Sequence, residues 1–444
     1  KQVTGANFDV VDRAERGPTR LLVGEKAAKL ADRRFTTLGL GAEGFVIRTA
    51  GNDLILAGGR PRGTLYAVYT FLEDEVGCRW WSTRVSTIPK RPTLTMGKLD
   101  IRFVPKLEYR ESFWFDALDG DWAARNKCNG DWDRLDARHG GKHTYEGFVH
   151  TFYGLIPPAR YFQEHPEWFS EINGKRTHEN AQLCLTNEDM RRELVKNLKA
   201  RLRANPGATI ASVSQNDWHG NCQCAKCAAI DREEGNPAGS LLRFVNAVAE
   251  DIERDFPDVA IDTLAYQYTR KPPKLTKPRS NVIVRLCSIE CSFSKPLADD
   301  RNRAFRDDIE GWSKICNRLY IWDYTTNFAH YILPHPNLRV LGPNIRFFVD
   351  HGVKGVFEQG AYQSFGSEMA ELRAWMLAKL LWDPNRDTDE LITEFTEGYY
   401  GPAGRYVREY LNLLHDTAEA TGHYMRIWGN TNAPYLTLDL MGRA

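Results

Sequence analysis

The feature that most constrains the fold of this chain is an alternation of apolar strand patterns and amphipathic helix patterns after about residue 105. About eight strand candidates, most of them followed by a helix pattern, occupy roughly 290 residues. The strand candidates are KLEYRES (106–112), EGFVHTFYGL (146–155), AQLCLTN (181–187), ATIASVSQND (208–217), VAIDTLAYQYT (259–269), NVIVRLCSIE (281–290), NRLYIWDYTTN (317–327) and VKGVFEQGAY (353–362). Strands separated by helices pair in parallel through right-handed crossovers. The pattern therefore predicts an α/β fold with a (β/α)8 TIM barrel.

A doubly wound open sheet is the alternative for such a pattern. That fold commonly carries a Gly-rich phosphate turn after its first strand, and no such turn occurs here. The helix SLLRFVNAVAEDIERDF shows the expected apolar stripe most clearly. Its members are Leu241, Leu242, Val245, Val248, Ile252 and Phe256.

Residues 1–100 have a different pattern of short strand candidates and one helix candidate. This pattern predicts a small α/β domain in front of the barrel. Four short strand patterns, FDVVD, TRLLVG, GFVIRTA and DLILAGG, precede one helix pattern, RGTLYAVYTFLEDEVGC, and Gly77 stands where a C-cap glycine would end that helix. We expect its buried face to carry Leu65, Val68, Tyr69, Leu72 and Val76. Residues 101–400 then form the barrel. We expect residues 401–444 to form a helical segment that begins a further region.

The ends of the barrel strands carry polar and aromatic residues in nearly every case. They read Glu111 and Trp114, His150, Asn187, Gln215–Asn216–Asp217–Trp218, Tyr266–Gln267–Tyr268, Glu290, Trp322–Asp323–Tyr324, and Glu358–Gln359. Barrel enzymes hold their chemistry at this end of the strands. Glycoside cleavage needs a carboxylic acid and a second group that stabilises or attacks the cationic centre. Four carboxylates with aromatic neighbours, Asp217, Glu290, Asp323 and Glu358, therefore favour a sugar cleft.

Composition and missing motifs exclude several other functions. The net charge of +1 gives no general attraction to nucleic acid, and no apolar run reaches the ~18–20 residues that a membrane span needs. The sequence contains no Walker loop, no G-x-S-x-G elbow and no H-E-x-x-H. The 12 Trp, 18 Tyr and 21 Phe fit a packed core or a cleft that stacks on sugar rings.

Several long segments resemble known glycosidases. RGTLYAVYTFLEDEVGCRWW looks like the amino-terminal domain shared by α-glucuronidases and hexosaminidase-like glycosidases. HTFYGLIPPARYFQEHPEWFSEINGKR, SVSQNDWHGNCQCAKCAAID, IDTLAYQYTRKPP, VIVRLCSIECSF and GVKGVFEQGAY are similar to the bacterial domain of unknown function 4838. That family includes the endo-β-N-acetylglucosaminidases of glycoside hydrolase family 163, which act on complex N-glycans. The resemblance covers nearly the whole chain.

The resemblance implies a retaining glycosidase, with the substrate's acetamido group as a candidate nucleophile. In family 20 glycosidases an Asp-Glu pair at the end of the fourth strand supplies the acid and orients the acetamido group. Asn216–Asp217 stands at that position here, so Glu290 is an alternative source of the acid. We expect Asp217 and Glu290 to be the working pair, with Glu358 as a third catalytic candidate. The substrate-binding candidates are Asn216, Trp218, Tyr268, Trp322, Asp323, Tyr324, Trp114 and His150.

Cys222, Cys224 and Cys227 follow this strand end with C-x-C-x-x-C spacing. A structural zinc site normally has four ligands, so His219, Cys128 or Cys184 would have to complete it. The spacing leaves zinc, a local disulfide with one thiol left over, and free buried thiols open. We expect neither a catalytic metal nor a cofactor.

Two other functions remain as alternatives. An α-glucuronidase-like inverting hydrolase would bind a uronate through Arg110, Arg270 or Arg285, and a non-catalytic barrel would only bind carbohydrate. The expected partner is an oligosaccharide or a glycoprotein glycan, with neither nucleic acid binding nor membrane insertion. We expect a periplasmic, cell-surface or secreted location.

Overall fold

The computed structural model describes residues 1–12 and 19–444, and its amino-terminal part is a small sheet covered by one helix. The elements are β1 (Leu21–Val23), α1 (Glu25–Ala28), β2 (Phe45–Ala50), β3 (Asp53–Gly58), α2 (Gly63–Thr70), a π-helical turn (Phe71–Glu75), the hairpin strands β4 (Arg79–Trp80) and β5 (Ser86–Thr87), and β6 (Asp100–Phe103). The sheet order is β1-β3-β2-β6, with β1 parallel to β3. The FDVVD segment forms no strand, and the other three strand predictions in this region are confirmed.

The helix α2 packs against both the barrel and the small sheet. The single buried face that we predicted therefore covers only part of the helix surface that is buried. Leu65 and Tyr69 contact the barrel core, while Tyr66 and Phe71 are buried in the core of the small domain. A helix that lies between two cores is apolar on more than one face, so a one-face prediction does not describe it fully. Gly77 has a φ of 88°, which confirms the predicted helix-ending glycine.

The central element is a seven-stranded parallel sheet that curls into an incomplete barrel. Its strands are β7 (Tyr109–Phe113), β8 (Tyr145–Glu146), β11 (Ile210–Ser212), β12 (Ala260–Ala265), β13 (Val282–Cys287), β14 (Leu319–Tyr324) and β15 (Gly355–Gln359). Their order in the sheet is β7-β15-β14-β13-β12-β11-β8, which leaves β7 and β8 as the two edges. The predicted α/β class, with a barrel-like sheet behind a small α/β domain, is therefore confirmed.

One predicted strand is absent from this sheet. Residues 181–187 make only an isolated bridge from Leu183 to Phe169, and β8 pairs directly with β11. The segment instead hydrogen-bonds to the loop after β11, where Gln182 N donates to the Gly220 carbonyl over 3.1 Å. A short antiparallel hairpin, β9 (Glu171–Ile172) and β10 (Lys175–Arg176), lies nearby in the chain.

Helices cover the outside of the sheet and continue to the end of the chain. They are α3 (Gly120–Arg125), α4 (Phe152–Leu155), α5 (Pro158–Tyr161), α6 (Glu188–Ala204), α7 (Ala225–Glu234), α8 (Ala238–Glu253), α9 (Arg303–Ser313), α10 (Leu338–Asp350), α11 (Ala370–Trp382), α12 (Thr388–Tyr400), α13 (Gly404–Thr421) and α14 (Leu438–Arg443). The five members of the predicted stripe that lie in α8 are buried, as expected, and Phe256 follows the helix and is half-buried. Among residues 1–12 and 19–444, no helix has the length and apolar character to cross a bilayer.

Aromatic side chains fill the inside of the barrel around one arginine. Arg285 donates from Nε to Asp262 Oδ2 over 3.2 Å and lies 5.4 Å from the ring centres of Tyr109 and Tyr145. This packing closes the interior, as in other barrels whose centre is a core rather than a pore. A ligand can therefore approach only from a rim.

Two buried ion clusters join the small domain to the barrel. Glu73 accepts from Lys127 Nζ over 2.6 Å and from Lys379 Nζ. Glu43 accepts from Arg110 and from Arg62, each over 2.7 Å. Because both glutamates come from the small domain, their buried charges fix how that domain lies on the barrel.

Candidate active site

A cleft lies at the carboxyl ends of the barrel strands, and we call it the central cleft. It has a cavity volume of about 180 Å³. Residues from six strand ends and from the carboxy-terminal segment line it. They are His150, Asp217, Leu264, Tyr266, Cys287, Ile289, Trp322, Tyr324, Phe328, Gln359, Ile427 and Trp428. This is the end of the sheet where barrel enzymes carry their active sites.

Asp217 follows β11 and projects into the central cleft. Its side chain is 61% exposed, and Tyr266 Oη donates a hydrogen bond to its Oδ1 over 3.1 Å. Burial and the Asp217 charge both raise the pKa of the Tyr266 hydroxyl, which keeps the phenol a donor. No hydrogen-bond partner for Asp217 Oδ2 occurs in the described part of the chain. One carboxylate oxygen of Asp217 is thus fixed and the other is open to a ligand.

His150 lies next to Asp217 on the loop after β8. Its Nδ1 is 2.8 Å from the Gln215 carbonyl oxygen, and its Nε2 is 3.8 Å from Asp217 Oδ1. A carbonyl oxygen can only accept, so Nδ1 carries the proton and Nε2 faces the cleft. The backbone of His150 has a φ of 56°, and its amide donates to Ser214 Oγ over 2.8 Å. These bonds fix the ring beside the carboxylate.

The loop that carries Asp217 is held by a buried amide network. Asn216 N donates to Gln182 Oε1 over 2.8 Å, and Gln182 Nε2 donates to the Trp218 carbonyl over 2.6 Å. Asn216 Nδ2 and Trp218 Nε1 both donate to the Ala181 carbonyl, over 3.1 and 2.8 Å. Ala181 and Gln182 therefore hydrogen-bond to the residues on both sides of Asp217. This explains why these two residues do not join the sheet.

Glu290 lies in a shallow depression that adjoins the central cleft and shares Ile289 and Trp428 with it. Arg270 donates to Glu290 Oε2 over 3.0 Å and to Asp308 Oδ2 over 2.6 Å. The Glu290 side chain is 37% exposed. Asp217 and Glu290 both raise the pKa of the buried Tyr324 hydroxyl, after burial itself, so both charges act on one cleft residue. The two carboxylates therefore lie in adjoining pockets that share Ile289 and Trp428, and Asp217 is the one beside the floor of the central cleft.

Aromatic residues from β14 form that floor. Trp322 Nε1 donates to Gln359 Oε1 over 2.8 Å, which fixes the indole plane. The rings of Trp322 and Tyr324 are 6.3 Å apart and inclined by 32°. Flat apolar faces beside exposed carboxylates are typical of carbohydrate sites, because a pyranose has both C–H faces and hydroxyl edges.

Asp323 and Glu358 do not reach the central cleft, contrary to our expectation of four rim carboxylates. Successive strand residues point to opposite faces. Trp322 and Tyr324 face the cleft, so Asp323 faces the helices. Glu358 is its partner in the pairing of β14 with β15. Both side chains are 1% exposed. Burial raises the pKa of Asp323 to about 6, and burial with the Asp323 charge raises that of Glu358 further.

Three other predicted ligand-binding residues are also outside the cleft lining. Trp114 is fully buried and donates from Nε1 to Thr325 Oγ1 over 3.1 Å. Asn216 and Trp218 belong to the amide network behind the loop. Tyr268 lines the adjoining depression with Glu290, while His150, Trp322 and Tyr324 line the central cleft. The structure therefore brings four of the eight predicted binding residues together with Asp217 and Glu290.

The arginines proposed for a uronate already have partners. Arg110 is buried in the ion pair with Glu43, and Arg285 is buried in the barrel with Asp262. Arg270 bridges two carboxylates. None of the three presents a guanidinium group without a carboxylate partner to the cleft, so the structure gives the α-glucuronidase alternative no support.

The carboxy-terminal segment contributes cleft residues that the sequence analysis missed. Tyr424 Oη donates to the Glu290 carbonyl over 2.9 Å, and Phe328 N donates to the Ile427 carbonyl over 2.8 Å. These bonds hold Ile427 and the 60% exposed Trp428 at the rim. The only signal in the sequence is an aromatic residue in the polar stretch around RIWGN.

The cysteine cluster lies beside this site rather than in it. Cys184 joins Cys222, Cys224 and Cys227 in one buried group. Cys128 is instead in the barrel core, and His219 lines the depression with Glu290. None of the nine cysteines forms a disulfide. The four grouped cysteines are the residues that could hold a metal.

Comparison with solved structures gives proteins of similar fold and low sequence identity. CpGH89 from Clostridium perfringens, in complex with its substrate GlcNAc-alpha-1,4-galactose, matches with 12% identity and a TM-score of 0.52 over 85% of this chain. The chain spans about half, 48%, of that structure. A beta-N-acetylhexosaminidase from Bacteroides fragilis matches with 10% identity over 91% of this chain and 96% of its own. Its TM-score is 0.45. The first match supports the fold.

No curated protein matches the chain. A family model described as "Domain of unknown function (DUF4838)" matches residues 80–412, which is well over half of the sequence. The matched range includes the whole curled sheet and both Asp217 and Glu290. The family resemblance drawn from the sequence motifs is thereby confirmed, and the chain belongs to the DUF4838 family.

Proposed function

We propose that this protein is a glycoside hydrolase that cleaves its substrate in the central cleft. One observation carries the proposal: Asp217 lines an aromatic cleft at the carboxyl end of a barrel-like sheet, and Glu290 lies in a depression that adjoins this cleft and shares Trp428 with it. Glycosidases place two carboxylic groups about the scissile bond, beside surfaces that bind sugar rings. Trp322, Tyr324 and Trp428 supply such surfaces.

Asp217 is the proposed proton donor. Its Oδ2 is open to the cleft, while Tyr266 holds Oδ1 and His150 Nε2 lies close to the same oxygen. A glycosidic oxygen that approaches Oδ2 would receive the proton as the bond to the anomeric carbon breaks. His150, whose Nε2 faces the cleft, is placed to exchange a proton with water.

Glu290 is the proposed stabilising group. Arg270 binds its Oε2, which fixes the carboxylate and leaves Oε1 as an acceptor. A fixed negative charge beside the anomeric carbon stabilises the positive charge that develops there. In a substrate with an N-acetyl group, the same oxygen can accept from the acetamido N–H and orient its carbonyl for attack.

The finer proposal is a retaining endo-β-N-acetylglucosaminidase that acts on N-glycan-type substrates. It rests on the motif resemblance and on the position of Glu290 beside Trp428, which borders both the depression and the central cleft. Retention through the acetamido group needs no protein nucleophile. Glu358 is buried outside the cleft, so Asp217 in the cleft and Glu290 in the adjoining depression are the two carboxylates that the proposal uses.

A glycan panel tests the function. We would incubate the purified protein with complex N-glycoproteins, high-mannose N-glycoproteins, chito-oligosaccharides and glucuronoxylan, and analyse the products by mass spectrometry. The proposal expects a shortened complex N-glycan cut at an N-acetylglucosamine linkage. Release of uronic acid alone would refute the substrate class. No cleavage of any glycan would favour a carbohydrate-binding barrel.

A further inference from the structure

Four cysteines from two separate segments meet beside the active-site loop. Cys184 precedes α6, Cys222 and Cys224 follow Asp217, and Cys227 lies in the first turn of α7. All four are buried, and their sulfur atoms lie within 4.8 Å of one another. Four sulfur ligands with no open position are typical of a structural rather than a catalytic metal site.

The sulfur distances fit a single tetrahedral ion. Cys184 Sγ is 3.7 Å from Cys224 Sγ and 4.0 Å from Cys227 Sγ. Four bonds of about 2.3 Å in a tetrahedron place sulfur atoms about 3.8 Å apart. A disulfide would need sulfurs about 2.05 Å apart. A cluster of several irons would have to fit its own atoms between the ligands and so needs wider spacing.

The surroundings of the sulfurs suit bound thiolates. The Glu171 amide donates to Cys222 Sγ over 3.3 Å, and an Arg176 guanidinium nitrogen is 3.6 Å from the same sulfur. Thr186 Oγ1 is 3.2 Å from Cys227 Sγ. Donors of this kind orient metal-bound sulfur and offset its negative charge.

We infer that Cys184, Cys222, Cys224 and Cys227 bind one Zn²⁺ ion that holds the Asp217 loop in place. Cys184 lies two residues after Gln182, which binds the backbone on both sides of Asp217. Cys222 lies five residues after Asp217. A metal that links the two segments therefore closes a loop around the candidate acid and fixes its backbone.

Zinc analysis of the purified protein tests this inference without any measurement of activity. We expect one zinc per chain by plasma mass spectrometry after dialysis against metal-free buffer. X-ray absorption should show four sulfurs at about 2.3 Å. Titration with an organomercurial should release the zinc as the four thiols react. A zinc-free protein, disulfides in the intact mass, or iron in place of zinc would overturn the inference.

Paired substitutions assign the ligands. Cys184→Ser and Cys227→Ser should each lose most of the bound zinc, while Cys316→Ser, a control cysteine outside the cluster, should retain it. If the ligand variants do not fold, the titration of the parent protein still decides the question. Zinc retained by the double variant Cys184→Ser/Cys227→Ser would exclude these cysteines as the ligands.

Hydrogen exchange tests whether the bound zinc ion stabilises the Asp217 loop. Removal of zinc from the parent protein with a chelator should raise exchange in residues 181–186 and 214–224, and zinc should restore protection. Unchanged exchange there would show that the ion does not hold the Asp217 loop. Because neither readout depends on turnover, they stay valid if the glycosidase proposal fails.

Discussion

At the scale of single residues, the cleft contains two kinds of side chain. Some are fixed by hydrogen bonds within the protein, and others are exposed and available to contact a ligand. Gln359 fixes Trp322, and Tyr266 fixes one oxygen of Asp217. Trp428 is different, since its indole is largely exposed at the rim of both the central cleft and the Glu290 depression. This position suits a platform for a sugar ring that lies between the two carboxylates.

Trp428→Ala should therefore weaken substrate binding more than it slows the bond-cleavage step. Loss of about 1–2 kcal/mol of ring contact corresponds to a rise in KM of roughly tenfold, with kcat nearly unchanged. Steady-state kinetics on the cleaved glycan gives both constants. Tyr406→Ala, which removes an exposed ring from α13, is the matched control. A fall in kcat with an unchanged KM would assign Trp428 a different role.

At the scale of elements, strand alternation explains which predicted residues reached the cleft. The order Trp322–Asp323–Tyr324 puts only the aromatic pair on the inner face. A strict period of two applied to β14 and β15 excludes Asp323 and Glu358 from the cleft without any coordinates. The helical stripe of α8 was predictable for the same kind of reason, because one face repeats along the whole helix.

Two features were not predictable from local patterns. The first part of the segment 181–187 is buried like a strand, but its hydrogen bonds go to the loop after β11. The contribution of Trp428 depends on the return of the carboxy-terminal segment to the rim, which is set by distant bonds such as Tyr424 to Glu290. Periodicity describes which face of an element is apolar, and it does not identify the partner of that face.

The buried pair of Asp323 and Glu358 should make stability depend on pH. Burial raises the pKa of Asp323 to about 6, and burial together with the Asp323 charge raises the pKa of Glu358 well above its usual value. The folded state then binds more protons than the unfolded state above about pH 4. This contribution to stability is full at lower pH and is lost as the pH rises through the folded pKa values.

Glu358→Gln removes one of these titrations. At pH 8 we expect the variant to be more stable than the parent by roughly 2 kcal/mol, with a smaller difference at pH 5. Urea unfolding at the two pH values measures this, and Glu409→Gln on exposed α13 is the control. A variant less stable than the parent at pH 8 would show that the Glu358 carboxylate is not a buried, costly charge.

At the scale of the whole molecule, the small domain and the barrel are joined through buried charges. Glu73 lies between Lys127 and Lys379, and these lysines hold its pKa far below the usual range against the cost of burial. Removing one partner of a buried ion cluster leaves unpaired charge and costs about 3–5 kcal/mol. The cluster therefore links the stability of both domains.

Glu73→Gln should destabilise the protein by roughly 3 kcal/mol, measured by urea unfolding at neutral pH. Glu397→Gln, on the exposed side of α12, should change stability little. The triple variant Glu73→Gln/Lys127→Met/Lys379→Met should recover much of the loss, because no unpaired charge remains. An unchanged stability of Glu73→Gln would contradict the importance of this cluster.

The most direct test of the account is the rate at which Asp217→Asn and Glu290→Gln cleave the glycan that the parent protein cleaves. Loss of an acid or of the stabilising carboxylate typically costs about 10²–10⁴-fold in kcat. Asp189→Asn and Glu167→Gln, both exposed and outside the cleft, are the matched controls and should keep the parent rate. Equal cleavage by the parent and either cleft variant would contradict the assignment of that carboxylate as part of the catalytic pair.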